Sequence, residues 1–315
     1  MDNEKFIWSA LVHVGSRMWH DLPEDLPDTL QFDENTFWTI AGRLRDIGAN
    51  MIVLDIGEAL VYPSHPELAI KGSLSPEKWQ DMLARLRKMG LEPIPKLNFS
   101  TCHDIWLGEY SRMVSTPQYY QVCSDVIKDV RQVFGPLRFF HIGYDEEAIG
   151  EQRKMLYAAA RQNGLWWHDL EWFLARVSET GARPWMWADS FWHHIEEFPK
   201  RIPKSVMLSN WYYGRTFTEE GPFERAYEKV RLWAYRALDR LGYDQIPCAT
   251  NWVPDYYGTP NNLVNFPMTV DYCRKYLTPS LLKGFMMAPW AGSTPKRMAF
   301  WNEALGLLEK AIRGA

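Results

Sequence analysis

The sequence predicts an α/β fold, a (β/α)8 barrel in one domain. Three observations carry this: eight short apolar runs rich in β-formers, helical runs between them, and a length of 315 residues. Eight βα units in about 250 residues or more are the pattern of such a barrel. The strand-like runs are 6–13, 50–55, 92–98, 138–144, 183–189, 206–211, 246–252 and 284–290. They lack a strict polar alternation, as expected of strands covered on both faces.

The helical runs are 34–47, 76–89, 116–134, 151–163, 166–180, 222–241, 262–276 and 295–313, with 191–201 ambiguous. The first carries Phe37, Ile40, Leu44 and Ile47 at helical spacing. The second opens on Ser75-Pro76-Glu77 and stops at Gly90. Strands alternating with helices imply parallel pairing, because a parallel crossover needs a long connection. An open doubly wound sheet is the other reading, but no glycine-rich phosphate turn follows the first strand. Without a linker, a low-complexity segment or a fixed repeat, residues 1–315 read as one barrel.

Composition narrows the partners. The formal net charge is −4, which argues against a nucleic-acid binder working through a basic surface. No apolar run approaches the roughly 18 residues of a membrane helix. The polar start, Met1-Asp2-Asn3-Glu4-Lys5, shows no signal peptide, so a cytoplasmic location is expected. The cysteines Cys102, Cys123, Cys248 and Cys273 form no C-x-x-C pair and read as free, mostly buried thiols. Sixteen tryptophans stand beside 15 tyrosines and 15 phenylalanines. Such side chains pack cores and also stack on the apolar faces of sugar rings. No cofactor or metal is expected. His193-His194 lacks a partner at metal-ligand spacing. Exposed aromatics leave a homodimer open.

In a barrel, chemistry sits at the C-terminal ends of the strands. Those ends carry Ser16, Arg17 and Trp19; Asp55 and Glu58; Asn98 and His103; His141, Asp145, Glu146 and Glu147. Trp187 and Asp189, Asn210, Trp211 and Tyr212, Asn251, Trp252, Asp255, Tyr256 and Tyr257, and Trp290 complete the rim. Acids, amides and aromatics suit a neutral, polyhydroxylated ligand, and a carbohydrate substrate is expected. Within 141–147, HIGYDEE, three acids follow an apolar strand. If they cluster, their charges repel and at least one pKa rises. Glycosidic cleavage uses one protonated and one ionised acid. Alternatively, Glu146 and Glu147 begin a helix, where acids favour the positive dipole end. Alternation places His141, Gly143 and Asp145 on one face, so Glu146 joins them only if the strand bends there.

These residues resemble the family 20 glycoside hydrolases, the β-N-acetylhexosaminidases. That family carries H-x-G-G-D-E at the end of strand four, and this chain has HIGYDE at 141–146. YPSHPELAIKGSLSPEKW at 62–79 is similar to the family's yPeL stretch. PIPKLNFSTCH at 93–103 is similar to its P-E-x-D-x-P-G-H segment, with one extra residue. Trp187 and Asp189 in WMWAD, Trp290 and Ser16-Arg17 fall where the family has a fifth-strand acid motif, an eighth-strand tryptophan and a first-strand arginine. The chain departs from the pattern at Tyr144, which replaces a glycine, and at Lys96 and Asn98, which replace two acids.

The resemblance implies substrate-assisted hydrolysis with retention, in which the sugar's own 2-acetamido group attacks the anomeric carbon. It makes Glu146 the general acid, then base, with a raised pKa, and Glu147 its competitor. It makes Asp145 the ionised stabiliser, and Tyr256 or Tyr257 a donor to the acetamide. Trp187, Trp211 and Trp290 would wall the sugar. Arg17, His103, His141 and Asp189 would bind or position it. Three other readings stay open: a sugar-binding barrel blocked by Tyr144, a metal enzyme using His141, Asp145 and Glu147, and a glycosidase acting on a sugar without the acetamide.

Overall fold

The computed structural model describes residues 5–17, 26–147, 152, 158–161, 163–220, 223, 227–253 and 261–314. Eight parallel strands run in the order β6-β5-β4-β3-β2-β1-β8-β7. They are β1 (Ile7–His13), β2 (Met51–Asp55), β3 (Glu92–Lys96), β4 (Phe139–His141), β5 (Arg183–Trp187), β6 (Met207–Ser209), β7 (Cys248–Ala249) and β8 (Gly284–Met287). The two ends of the sheet meet through backbone bonds. Leu208 N donates to Asp244 O at 3.1 Å, Ile246 N to Leu208 O at 2.9 Å, and Cys248 N to Asn210 O at 2.9 Å. This is the barrel that the alternating pattern predicts. At Gly284, a Cβ would lie 2.2 Å from the Ile7 carbonyl oxygen. Only glycine lets β8 approach β1 this closely.

The helices are α1 (Glu34–Asp46), α2 (Pro76–Lys88), α3 (Pro117–Phe134), α4 (Gly164–Glu179), the single turns α5 (Ser190–His193) and α6 (Phe198–Arg201), α7 (Glu228–Arg240), α8 (Asn265–Tyr276) and α9 (Met298–Arg313). Local chemistry sets where three of them start. The side chains of Asp33, Ser75 and Thr116 accept from Thr36 N, Lys78 N and Tyr119 N. Pro76 and Pro117 then occupy first-turn positions, where no amide donor is needed. The ambiguous run 191–201 resolves into α5 and α6. The helix expected over 151–163 is not found at residues 158–161, and most of its remainder lies outside the described residues.

Strands β1 and β2 end where their apolar runs end, whereas β3 to β8 end two or three residues earlier, because the chain turns out of the ladder toward the rim. Below the rim sits a buried ion group. Lys96 Nζ lies 2.6 Å from Asp55 Oδ2, and His13 Nδ1 lies 3.1 Å from the same oxygen. Burial opposes the Asp55 charge, but Lys96 and His13 together hold its carboxyl well below the usual range. The four cysteines are buried and form no disulfide. Among the described residues, no helix is long and apolar enough to cross a membrane.

Candidate active site

The site begins where β4 stops. His141 is its last paired residue, and Gly143, Tyr144 and Glu146 then take φ of 67°, 72° and 55°. Left-handed backbone is open to glycine but costs other residues about 1–3 kcal/mol each, and such strain gathers at functional sites. A Cβ on residue 143 would lie 2.2 Å from Asn98 Oδ1, so this position has room only for glycine. Asn98 is fixed on several sides. Its Oδ1 accepts from Tyr144 N and Ser100 N, each at 3.1 Å, and its Nδ2 donates to Asp145 Oδ1 at 2.8 Å.

This bend meets the geometric demand on Glu146. His103 Nε2 lies 3.7 Å from Asp145 Oδ2 and 3.3 Å from Glu146 Oε2. Asp145 is buried, whereas the Glu146 side chain is 40% exposed. Burial opposes the His103 charge, but the two carboxylates outweigh it and push its pKa up to about 9. For Glu146, burial acts upward, yet the His103 hydrogen bond and charge win and hold it below the usual range. For Asp145, burial raises the pKa against the pull of His103, and the Glu146 charge adds to the rise. The expectation of a raised pKa at Glu146 is therefore corrected for the free site. These shifts favour the proton on His103, which faces both acids. One ligand atom from each of His103, Asp145 and Glu146 lies within 4.8 Å of the others, a spacing that a divalent cation would also fit.

Glu147 points elsewhere. Its carboxylate accepts from Arg161 Nη1 at 2.7 and 2.9 Å and from Thr101 N at 3.1 Å. Arg161 also donates to Asp169 Oδ2 at 2.6 Å and Tyr119 Oη at 2.7 Å. Glu147 is thus an anchor between loops, neither an alternative acid nor a metal ligand with His141. Tyr144 is 1% exposed, and its ring packs on Trp166 and Phe173 of α4 at 5.3 and 5.8 Å. Its positive φ sends the side chain outward between barrel and helix. The proposed blockage of the mouth is corrected accordingly.

An aromatic arc continues from the acids. Ring centroids are 5.8 Å apart for Trp187 and Trp290, 6.4 Å for Trp290 and Tyr213, 5.0 Å for Tyr213 and Trp211, and 4.6 Å for Trp211 and Trp192. Trp290 Nε1 donates to Tyr213 Oη at 3.0 Å. Arg231 of α7 lies 4.3 Å from the Trp211 ring and 4.4 Å from the Trp192 ring. Trp187 is fully buried, and Trp290 keeps a partly exposed face.

Neither a family model nor a curated protein matches the chain. Solved structures do. A family 20 β-N-acetylhexosaminidase from Streptomyces coelicolor superposes with a TM-score of 0.65 at 15% identity, covering 97% of this chain and 64% of that one. An exo-β-N-acetylglucosaminidase from Vibrio harveyi, in complex with N-acetylglucosamine, gives 0.65 at 13% identity, covering 98% and 54%. Dispersin B gives 0.62 at 14% identity, covering 98% and 99%. The fold is that of the family 20 hexosaminidase barrel. This chain spans between half and two thirds of the length of the first two structures and nearly all of Dispersin B.

On this hexosaminidase-type barrel, the structure brings together Asp145, Glu146, His103 and Asp189. Asp189 Oδ2 accepts from Glu146 N at 2.9 Å. His141 is fully buried beneath them. Its Nδ1 accepts from Gly143 N at 3.0 Å, and its ring lies 4.7 Å from Trp187. Burial keeps it neutral by lowering its pKa well below the ordinary value. Arg17 is tied by Nε to the Pro27 carbonyl at 3.3 Å, and its amide donates to Glu58. Tyr256 and Tyr257 lie outside the described residues. Sequence reasoning passed over Tyr213, Trp192 and Arg231. For Tyr213 a signal exists: in Trp211-Tyr212-Tyr213, alternation puts residues 211 and 213 on one side.

Proposed function

We propose that the chain is a glycoside hydrolase that cleaves β-linked N-acetylhexosaminides with retention, through the substrate's own acetamido group. The observation that carries this reading is the Asp145–Glu146 pair, joined by His103 at the end of β4 within an aromatic mouth.

In the first step, the acetamide oxygen bonds to the anomeric carbon and the glycosidic C–O bond breaks. The leaving oxygen takes a proton from Glu146. His103 and Glu146 share that proton, and a sugar covering the exposed Glu146 carboxyl strengthens the upward effect of burial, moving the proton onto it. The cyclic oxazolinium ion that forms is positive, and the buried Asp145 carboxylate stabilises it and orients the acetamide N–H. In the second step, Glu146 takes a proton from water, and the hydroxide oxygen bonds to the anomeric carbon from the face the leaving group vacated. The oxazoline ring reopens, and the acetamide is restored. A strand-seven tyrosine, Tyr256 or Tyr257, donates to the acetamide oxygen in this scheme. Trp290, whose face is partly exposed, meets the sugar, and the buried Trp187 and Trp211 back it.

The test is a panel of four nitrophenyl β-glycosides: N-acetylglucosaminide, N-acetylgalactosaminide, glucoside and galactoside. Turnover of the acetamido sugars alone is expected. Cleavage of the plain sugars at equal rates would overturn the assisted mechanism, since they carry no internal nucleophile.

A further inference from the structure

Glu146 is an exposed acid on a left-handed backbone, φ 55°, and something must hold it there. Three neighbours surround its peptide. Asp189 Oδ2 accepts from its N–H at 2.9 Å. Cys102 Sγ donates to its carbonyl at 2.8 Å. The next residue, Glu147, is anchored on Arg161. Of these, only Asp189 comes from the segment after β5, the neighbouring strand, two residues past Trp187. It is 7% exposed, and its second oxygen, Oδ1, is buried with no protein partner among the described residues.

We propose that Asp189 is a positioning residue for the acid: its Oδ2 fixes the Glu146 amide and so aims the Glu146 carboxyl at the leaving oxygen. This rests on the hydrolase reading and adds to it a residue that acts through Glu146 without touching the bond being broken. Burial and the Asp145 charge push the Asp189 pKa up to about 8. A neutral carboxyl with its proton on Oδ1 keeps Oδ2 as the carbonyl acceptor for the amide. An asparagine oxygen can take the same bond at the same place. The hydrogen bond, rather than the charge, is therefore the working feature.

The test compares Asp189→Ala and Asp189→Asn on two N-acetylglucosaminides. One carries a dinitrophenol leaving group, which departs without protonation. The other is the disaccharide with N-acetylglucosamine as leaving group, which needs an acid. Misplacing a general acid forfeits up to its usual contribution of about 10²-fold or more, and only where protonation matters. Asp189→Ala is expected to lower kcat on the disaccharide about 100-fold and on the dinitrophenyl glycoside less than about 5-fold. Asp189→Asn should stay within about 5-fold of wild type on both. Equal losses on both substrates in Asp189→Ala, or an Asp189→Asn variant as impaired as Asp189→Ala, would overturn the proposal. Should Asp189→Ala fail to fold, Asp189→Ser, which shortens the side chain and withdraws the acceptor, is read by the same two substrates. If wild type cleaves neither substrate, the hydrolase reading fails before the variants are compared.

Discussion

Glu146→Gln is expected to lower kcat on the N-acetylglucosamine disaccharide, whose leaving group needs an acid, by about 10²–10⁴-fold, the usual contribution of a positioned general acid. Stability should hardly change. The Glu146 side chain is 40% exposed, and its contact with His103 is 3.3 Å. Partly solvated pairs of this kind contribute about 0–1 kcal/mol. Asp145, 3.7 Å from the same imidazole nitrogen, keeps a carboxylate beside His103. Initial-rate kinetics and thermal melting read the two effects separately. Unchanged turnover would remove Glu146 from the role of acid. A large loss of stability would instead make it a structural residue.

The second large effect concerns stability. Arg161→Leu is expected to cost about 3–5 kcal/mol, because it strips the cation from two buried carboxylates at once. Glu147 and Asp169 are almost entirely covered, at 2.7 and 2.6 Å from the guanidinium. Asp169 also accepts from Ser115 Oγ at 2.6 Å and from Tyr120 Oη. These hydroxyls do not replace a full charge. Through Glu147 and Thr101, the same arginine ties the loops after β3 and β4, which carry His103 and Glu146. Denaturant unfolding reads this directly. A loss below about 1 kcal/mol would mean that the network is dispensable packing.

The barrel was legible because its cause is local and repeated. Eight apolar runs separated by capped helices have few ways to bury both faces of a parallel sheet. The acid pair was legible for a related reason. Carboxylates following an apolar strand are poor packing, and a motif places them. The orientations within 144–147 were not legible. They depend on positive φ at Tyr144 and Glu146, which side-chain chemistry does not announce. Alternation alone puts Tyr144 and Glu146 on the face opposite Asp145, and Glu147 beside Asp145 as a rival acid; the plug reading of Tyr144 rests on its replacing the motif's glycine. The partner that settles Glu147, Arg161, lies in a run whose spacing reads as helix. The location of the proton was also hidden. It depends on His103 reaching both acids from another loop, a long-range convergence that no spacing within one segment encodes. Arg17 illustrates a further limit: a residue type and its strand position do not say which carbonyl its guanidinium meets.

The central claim is that the acetamide oxygen of the substrate is the nucleophile, with Asp145 and Glu146 serving it. The most direct test is a series of nitrophenyl N-acylglucosaminides in which the acetyl methyl carries zero, one, two or three fluorines. Each fluorine withdraws electrons from the amide oxygen and leaves the leaving group untouched. A steep, progressive fall in kcat/KM along the series is the expected result. A flat series would contradict it, and would require a protein group or water to attack the anomeric carbon.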